Sequence, residues 1–100
     1  MSEEAVTGSA KSTGEVRITH AVGLHARPSV KLTKLAKSFG ARIRLRGDNG
    51  DWVDAKSIVK VMALKVPEGE SLQFEAEGGD AEAAVAALVS LVERDFDEPD

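Results

Sequence analysis

Alternating apolar and polar residues predict three β-strands along the chain, and a turn sequence predicts a fourth. The clearest is ARIRLR (41–46), in which the apolar residues point to one side of the strand and the arginines to the other. EVRIT (15–19) and SLQFEAE (71–77) alternate in the same way, and WVDA (52–55) follows the turn sequence GDNGD as a hairpin partner. Each strand therefore has one apolar side to bury.

A period close to 3.6 residues predicts three helices, at 26–39, 57–64 and 81–96. The first has an apolar face with lysines between the apolar positions, and the last has a broad apolar stripe. Ser57 and Asp80 stand at the starts of the second and third helices, where each is a favourable N-cap. The order β-α-β-β-α-β-α predicts an α+β fold, a four-stranded antiparallel sheet with all three helices on one face.

The pattern predicts one domain with a polar segment at each end. Residues 1–14 are small, polar and aperiodic, so we expect a flexible leader there. Residues 15–96 carry the periodic pattern, and we expect residues 97–100 to fray. A chain of 100 residues with 42% hydrophobic content can bury roughly 60–70% of the surface that its unfolded state exposes.

Composition argues against several classes of protein. The chain has no cysteine, which rules out disulfides and a thiol nucleophile, and its two histidines are far from the carboxylates in sequence. We therefore expect no metal site and no cofactor. No segment approaches the ~18 apolar residues that a membrane span requires, so we expect a cytoplasmic monomer without membrane insertion.

Charge is distributed unevenly, although the net charge is only −4. From Glu68 onward the single cation is Arg94, among many acidic residues. Most of the cations lie between residues 25 and 65: Arg27, Lys31, Lys34, Lys37, Arg42, Arg44, Arg46, Lys56, Lys60 and Lys65. A basic region in an acidic protein favours a negatively charged partner, the alternative being an ordinary solvated surface.

The stretch VGLHARPSV (22–30) places a histidine directly before the first predicted helix. His25 is either a turn residue that starts the helix or a nucleophile held at its N-terminus. Arg27 follows two residues later, and Pro28 suits the first helical turn, where its missing N–H would have no partner. His20, by contrast, ends a strand without a basic companion, and we interpret it as structural or exposed.

Three segments resemble the HPr family, the histidine-containing phosphocarriers of the sugar phosphotransferase system: GLHARPSVKLTKLAKSFGARIRL, AKSIVKVMAL and EAEGGDAEAAVAALVSLVE. The resemblance extends over about residues 15–93, with the segments in the family's order. It implies an open-faced β-sandwich with strand order 1-4-2-3. It also implies that Nδ1 of His25 takes a phosphoryl group from enzyme I, which phosphoenolpyruvate charges, and passes it to an enzyme IIA domain. Arg27 would be the neighbouring cation.

The chemistry of these residues agrees with that role. An acceptor needs a nitrogen lone pair near pH 7, and the ordinary pKa of histidine, about 6.5, provides one. A helix N-terminus favours an anion and disfavours imidazolium, so the turn that contains Ala26 and Pro28 would support the phosphate. Arg27 can add a charge-assisted hydrogen bond. Because no Mg²⁺ ligands or phosphate-binding loop are visible, we interpret the chain as a carrier, not as an enzyme.

Ser57 has two interpretations. A plain N-cap accounts for it completely. The resemblance adds that, in part of the family, the matching serine is phosphorylated by HPr kinase/phosphorylase as a regulatory switch. Lys60, however, stands where the serine-regulated forms typically have glycine, and this favours the enteric type, in which such regulation is usually absent. Lys65 also replaces a frequent glycine, after the second helix.

The second helix predicts a docking surface for partner proteins. Val59 and Met62 point outward if the other apolar residues of this helix face the sheet. We expect an apolar patch beside His25 that docks on acidic faces of enzyme I and enzyme IIA, with a charged rim made by Arg27, Lys56 and Lys60. The alternative is the marginal packing of a short helix.

Three hypotheses about function are therefore in competition. The first is a phosphoryl carrier acting through His25, and the second is a regulatory binding module acting through Ser57 or the unphosphorylated surface. The third, a nucleic-acid-binding domain, fits only the arginines of the second strand, which lacks interleaved aromatic residues. For a carrier, the receiving protein decides between sugar uptake, a nitrogen-linked branch and a dihydroxyacetone kinase, and the sequence leaves that choice open.

Overall fold

The computed structural model of the chain describes residues 11–19, 24, 26–48 and 50–97. Its strands are β1 (Lys11–Arg17), β2 (Arg42–Arg46), β3 (Val53–Asp54) and β4 (Ser71–Glu77). They form one antiparallel sheet in the order β1-β4-β2-β3, with the two longest strands paired along their full length. The expected order 1-4-2-3 is confirmed.

Three helices cover one face of the sheet: α1 (Ala26–Lys37), α2 (Ile58–Ala63) and α3 (Ala81–Glu93). Because apolar residues alternate along each strand, one face of the sheet is apolar and packs against the apolar sides of the helices. The two layers share a single core, whose largest fully buried apolar side chains include Ile18, Leu32, Ile43, Leu45, Leu72, Phe74, Leu88 and Phe96. The α+β fold is confirmed.

β1 begins at Lys11, four residues before the boundary that polarity predicted, so residues 11–14 belong to the sheet and not to a leader. A Cβ on Gly14 would lie 2.6 Å from Cγ1 of Val85, which means that α3 packs directly on the strand backbone. This stretch carries no large apolar residue, so the alternating pattern could not reveal it. Residues 1–10 lie outside the described part of the chain, and a leader there remains a prediction.

Asp80 connects the start of α3 to the turn that follows α1. It stands directly before α3, as predicted, but its side chain makes no hydrogen bond to that helix. Instead the backbone N–H groups of Gly40 and Ala41 donate to its carboxylate oxygens at 2.9 and 2.8 Å. These bonds, the one from Gly40 foremost, lower the pKa of the Asp80 carboxyl. Asp80 therefore makes a tertiary contact, whereas its capping preference predicted a hydrogen bond to its own helix.

α3 ends at Glu93, three residues earlier than its pattern predicted. The chain then forms a 3₁₀ turn at Asp95–Asp97, and Arg94 Nε donates to Asp97 Oδ1 at 3.0 Å. Asp97, assigned by its polarity to a frayed tail, belongs to this turn. Residues 98–100 lie outside the described part of the chain, so fraying there remains a prediction.

Lys65 has a φ of 52°, in the left-handed region that favours glycine. A residue with a side chain loses roughly 1–2 kcal/mol of folding free energy to steric strain in this region. Glycine avoids that strain but loses roughly 0.5–1 kcal/mol through the extra backbone entropy that it gives up on folding. We therefore expect Lys65→Gly to raise the free energy of unfolding by about 0.5–1 kcal/mol. Urea denaturation followed by Trp52 fluorescence measures this change. Lys34→Gly, inside α1, should lower the same quantity by about 1 kcal/mol. Destabilisation by Lys65→Gly would contradict the interpretation.

Candidate functional site

His25 lies outside the described residues, as does His20, but the residues on both sides of His25 are described. Leu24 is buried, and its backbone N–H donates to the carbonyl oxygen of Val66 at 2.8 Å. Ala26, on the other side, is exposed and is the first residue of α1. The chain is thus anchored to the core immediately before His25 and enters a helix immediately after it.

The first turn of α1 suits a bound anion. The first N–H groups of a helix have no partner within it, and the helix dipole makes this end positive. Pro28 lies in the first turn, as predicted, and its side chain is buried, while Arg27 beside it is exposed. No acidic side chain lies in this turn. The positive end of α1 is therefore not neutralised by a carboxylate from its own first turn.

No three histidine, aspartate or glutamate side chains in the described part of the chain lie close enough together to hold a metal ion. No described helix combines the length and the apolar character that crossing a membrane would require.

α2 runs antiparallel to α1. Lys56, just before α2, donates from Nζ to the carbonyl oxygen of Phe39, just after α1, at 2.8 Å. Val66, just after α2, accepts the hydrogen bond from Leu24, just before α1. The end of α2 therefore lies toward the residues that flank His25, and the beginning of α2 lies toward the other end of α1.

The sequence predicted that Lys56 belongs to a charged rim beside His25, near the start of α1. The structure places Lys56 away from that end of the helix. A helix of 12 residues is about 18 Å long, and the Lys56 ammonium lies beyond the last turn of α1. The carbonyl groups at the end of a helix attract a cation, which explains this position. The side chain of Lys56 therefore contacts the end of α1 and lies away from the start of that helix.

Three large apolar side chains are exposed in the described part of the chain: Val59 (75%), Val30 (50%) and Met62 (41%). Val59 and Met62 point outward from α2 while Val61 is buried, which is the orientation expected from the sequence. Lys60, between them, is exposed. The exposure of Val30 was not predicted, although this residue lies off the apolar stripe of α1, and that offset was the signal in the sequence.

Val30 lies close to the start of α1. It lines a shallow and mainly apolar hollow together with Ala26, Arg27 and Lys31. The first two turns of α1 therefore combine an exposed apolar side chain with an exposed guanidinium. We call Val30, Val59 and Met62 the exposed apolar set.

Ser57 is the N-cap of α2. Its backbone is extended, and its hydroxyl oxygen accepts a hydrogen bond from the backbone N–H of Lys60 at 3.4 Å. The capping interpretation is confirmed. Because Ser57 stands at the beginning of α2, it lies toward the end of α1 that is remote from His25.

The arginines of β2 lie on the open face of the sheet, opposite the helices. Arg44 forms an ion pair with Glu75, and Arg46 Nε donates to Gln73 Oε1 at 2.8 Å. Both guanidinium groups also lie against the ring of Trp52, at 4.9 and 4.7 Å from its centroid. These two arginines are therefore engaged within the sheet, which weakens the hypothesis of a nucleic-acid-binding surface.

Comparison with known proteins gives one consistent result. Residues 12–94 match the family model described as "PTS HPr component phosphorylation site". Phosphocarrier protein NPr of Escherichia coli K12 is 39% identical over 83 residues, which cover 83% of this chain and 92% of that protein. The multiphosphoryl transfer protein of Vibrio cholerae is 50% identical over 78 residues, which cover 76% of this chain but 20% of that protein. The crystal structure of HPr-C-His from Thermoanaerobacter tengcongensis has a TM-score of 0.75 and 39% identity, and the match covers 90% of this chain and 98% of that one.

Proposed function

Because this chain belongs to the HPr family of phosphotransferase-system phosphocarriers, we propose that it carries its phosphoryl group on His25. The donor is enzyme I, charged by phosphoenolpyruvate, and the recipient is an enzyme IIA-type protein. Nδ1 of a proton-free His25 ring attacks phosphorus, and the bond from phosphorus to the donor atom breaks as the new bond forms. One observation carries this proposal: His25 directly precedes the first turn of α1, which carries Arg27 and no carboxylate.

The surroundings of His25 support a carried phosphate but are too weak to catalyse its transfer. Phosphate at an exposed helix N-terminus is stabilised by roughly 0.3–1 kcal/mol, and Arg27 can add a charge-assisted hydrogen bond. Enzymes typically lower activation free energies by about 8–23 kcal/mol. The partner must therefore supply most of the positioning and charge neutralisation that phosphoryl transfer requires. The chain acts as substrate and then donor for its partners, without being an enzyme itself.

The docking surface in this proposal consists of the exposed apolar set, with Arg27 and Lys60 as its charged rim. An apolar contact inside a charged rim suits a brief encounter with an acidic partner, because the charges steer association and the apolar groups bury little area. The match to a fifth of the multiphosphoryl transfer protein supports partners of the phosphoryl-transfer kind. Whether the recipient serves sugar uptake, a nitrogen-linked branch or a dihydroxyacetone kinase depends on which protein fits this surface.

Regulation through Ser57 is the second candidate function. Ser57 caps the helix that carries Val59 and Met62, so HPr kinase/phosphorylase acting there would add up to about two negative charges at the start of the helix that docks. The hydroxyl already caps α2, and Lys60 departs from the pattern of the serine-regulated forms. We therefore place this function second to phosphoryl transfer.

The chemical stability of the phosphoryl linkage tests the proposal and separates the two candidates. The protein is incubated with enzyme I and labelled phosphoenolpyruvate, and the label is then followed in acid and in alkali. A phosphohistidine loses its label in acid and keeps it in alkali, and this is the expected result. A label that survives acid and is lost in alkali would indicate phosphoserine and would contradict transfer through His25.

A further inference from the structure

The three residues of the turn after α3 all have left-handed backbone conformations. The φ angles of Asp95, Phe96 and Asp97 are 54°, 58° and 56°, and none of the three is glycine. L-residues adopt consecutive left-handed conformations only when surrounding contacts hold them there. Phe96 supplies one such contact, since its side chain is completely buried in the core.

Two side chains that are distant in sequence hold this turn. Lys31 Nζ donates to the carbonyl oxygen of Phe96 at 3.0 Å and to that of Asp97 at 3.5 Å. Thr19 Oγ1 donates to Asp95 Oδ1 at 2.6 Å. We call the turn and its bonds to Thr19 and Lys31 the C-terminal clamp.

The two anchors of the C-terminal clamp lie on either side of His25 in the sequence. Thr19 stands six residues before His25, and Lys31 stands six residues after it. Lys31 also lies four residues beyond Arg27 on α1, so the two side chains share one face of that helix. A single turn of the chain therefore contacts both Thr19, just after β1, and Lys31, within α1.

We propose that the C-terminal clamp positions His25 for phosphoryl transfer by holding the backbone on both sides of it. The inference rests on the function proposed above, in which His25 is the acceptor. Without the clamp, the ring would keep its chemistry but would be oriented for transfer for less of the time. Thr19 and Lys31 are positioning residues in this proposal, because they act through the backbone and not on phosphorus.

The test removes each anchor separately and pairs it with a matched control. Thr19→Val and Lys31→Met remove the hydrogen-bonding groups while keeping most of the side-chain volume. Thr13→Val, at an exposed position of β1, and Lys34→Met, one turn along α1, make the same chemical changes away from the clamp. Thermal unfolding verifies that the variants are folded. Asp95→Ala, which removes the acceptor of the Thr19 bond, replaces Thr19→Val if that variant does not fold, and Lys31→Leu replaces Lys31→Met.

Two measurements distinguish positioning from a purely structural role. Both anchor variants should lower the kcat of transfer from enzyme I about tenfold while KM stays within about twofold, because misplacement of a reacting group affects the reactive complex more than docking. Both should also shift the NMR resonances of the His25 ring in the unphosphorylated protein. The two control variants should change neither quantity.

Several results would overturn the proposal. The first is that the ring resonances and kcat are unchanged in both anchor variants. The second is that Lys31→Met lowers kcat but Thr19→Val does not, because that result would indicate that only the charge of the lysine matters. If enzyme I fails to label His25 in the unsubstituted protein, the proposed function is wrong. The ring resonances can be measured without phosphoryl transfer, so they still test whether the clamp affects the position of the His25 ring.

Discussion

Replacement of His25 by alanine is expected to abolish phosphoryl acceptance from enzyme I, so that acid-labile label falls to background. The physical reason is that an imidazole has an unprotonated nitrogen available for attack near pH 7, whereas lysine and arginine side chains are ordinarily protonated there. Arg27 and the helix start would remain, but they stabilise a phosphate without forming a bond to it. Labelled phosphoenolpyruvate and purified enzyme I provide the measurement.

His20→Ala is the matched control for this experiment, since it removes the other imidazole of the chain. It should retain the full extent of labelling, and mass spectrometry of the labelled protein should locate the phosphoryl group on His25. Circular dichroism verifies that both variants are folded. Acid-labile label that persists in His25→Ala, or that disappears in His20→Ala, would refute the assignment.

The double substitution of Val59 and Met62 by aspartate is expected to raise the KM for transfer about 10- to 100-fold. Full burial of a valine or methionine side chain contributes about 1.5–3 kcal/mol, so even half of that from two residues changes affinity by this factor. The added carboxylates would also repel an acidic partner. Both side chains are exposed, so the melting temperature should change little. Steady-state transfer kinetics and thermal unfolding measure the two effects.

Ala83→Asp combined with Ala86→Asp controls for the added charge. Both alanines are exposed on α3, so the control also adds two carboxylates to a helix surface outside the proposed docking surface. The KM for transfer of this control should stay within about twofold of the value for the unsubstituted protein. The twofold range allows for weaker long-range electrostatic steering. Equal loss of transfer in both double variants would attribute the effect to net charge, and unchanged kinetics in the Val59 and Met62 variant would remove the docking proposal.

The elements that the sequence predicted best are those whose own side chains carry the signal. β4 spans Ser71–Glu77, the same seven residues that its alternation indicated. The apolar stripe expected on α3 is buried in full, at Ala84, Val85, Leu88, Leu91 and Val92. Periodicity succeeds in such elements because a single face of each one contacts the core along its whole length.

The errors fall where a contact between distant segments replaces a local preference. The first four residues of β1 pair and pack without any large apolar side chain, because α3 lies against the backbone at Gly14. Asp80 accepts hydrogen bonds from Gly40 and Ala41, forty residues away, instead of capping its own helix. The position of Lys56 depended in the same way on the direction in which α2 crosses α1.

The sequence by itself determined the fold class, the family and the residue that we expect to carry the phosphoryl group, because amphipathic periods and a contiguous motif are local properties of the chain. Tertiary structure decided which groups accompany that residue. It brings Val66 against Leu24, orients Val59 and Met62 outward, and places Asp95–Asp97 against Thr19 and Lys31. These contacts join segments separated by dozens of residues, and their geometry depends on how the helices pack on the sheet, which no local pattern encodes.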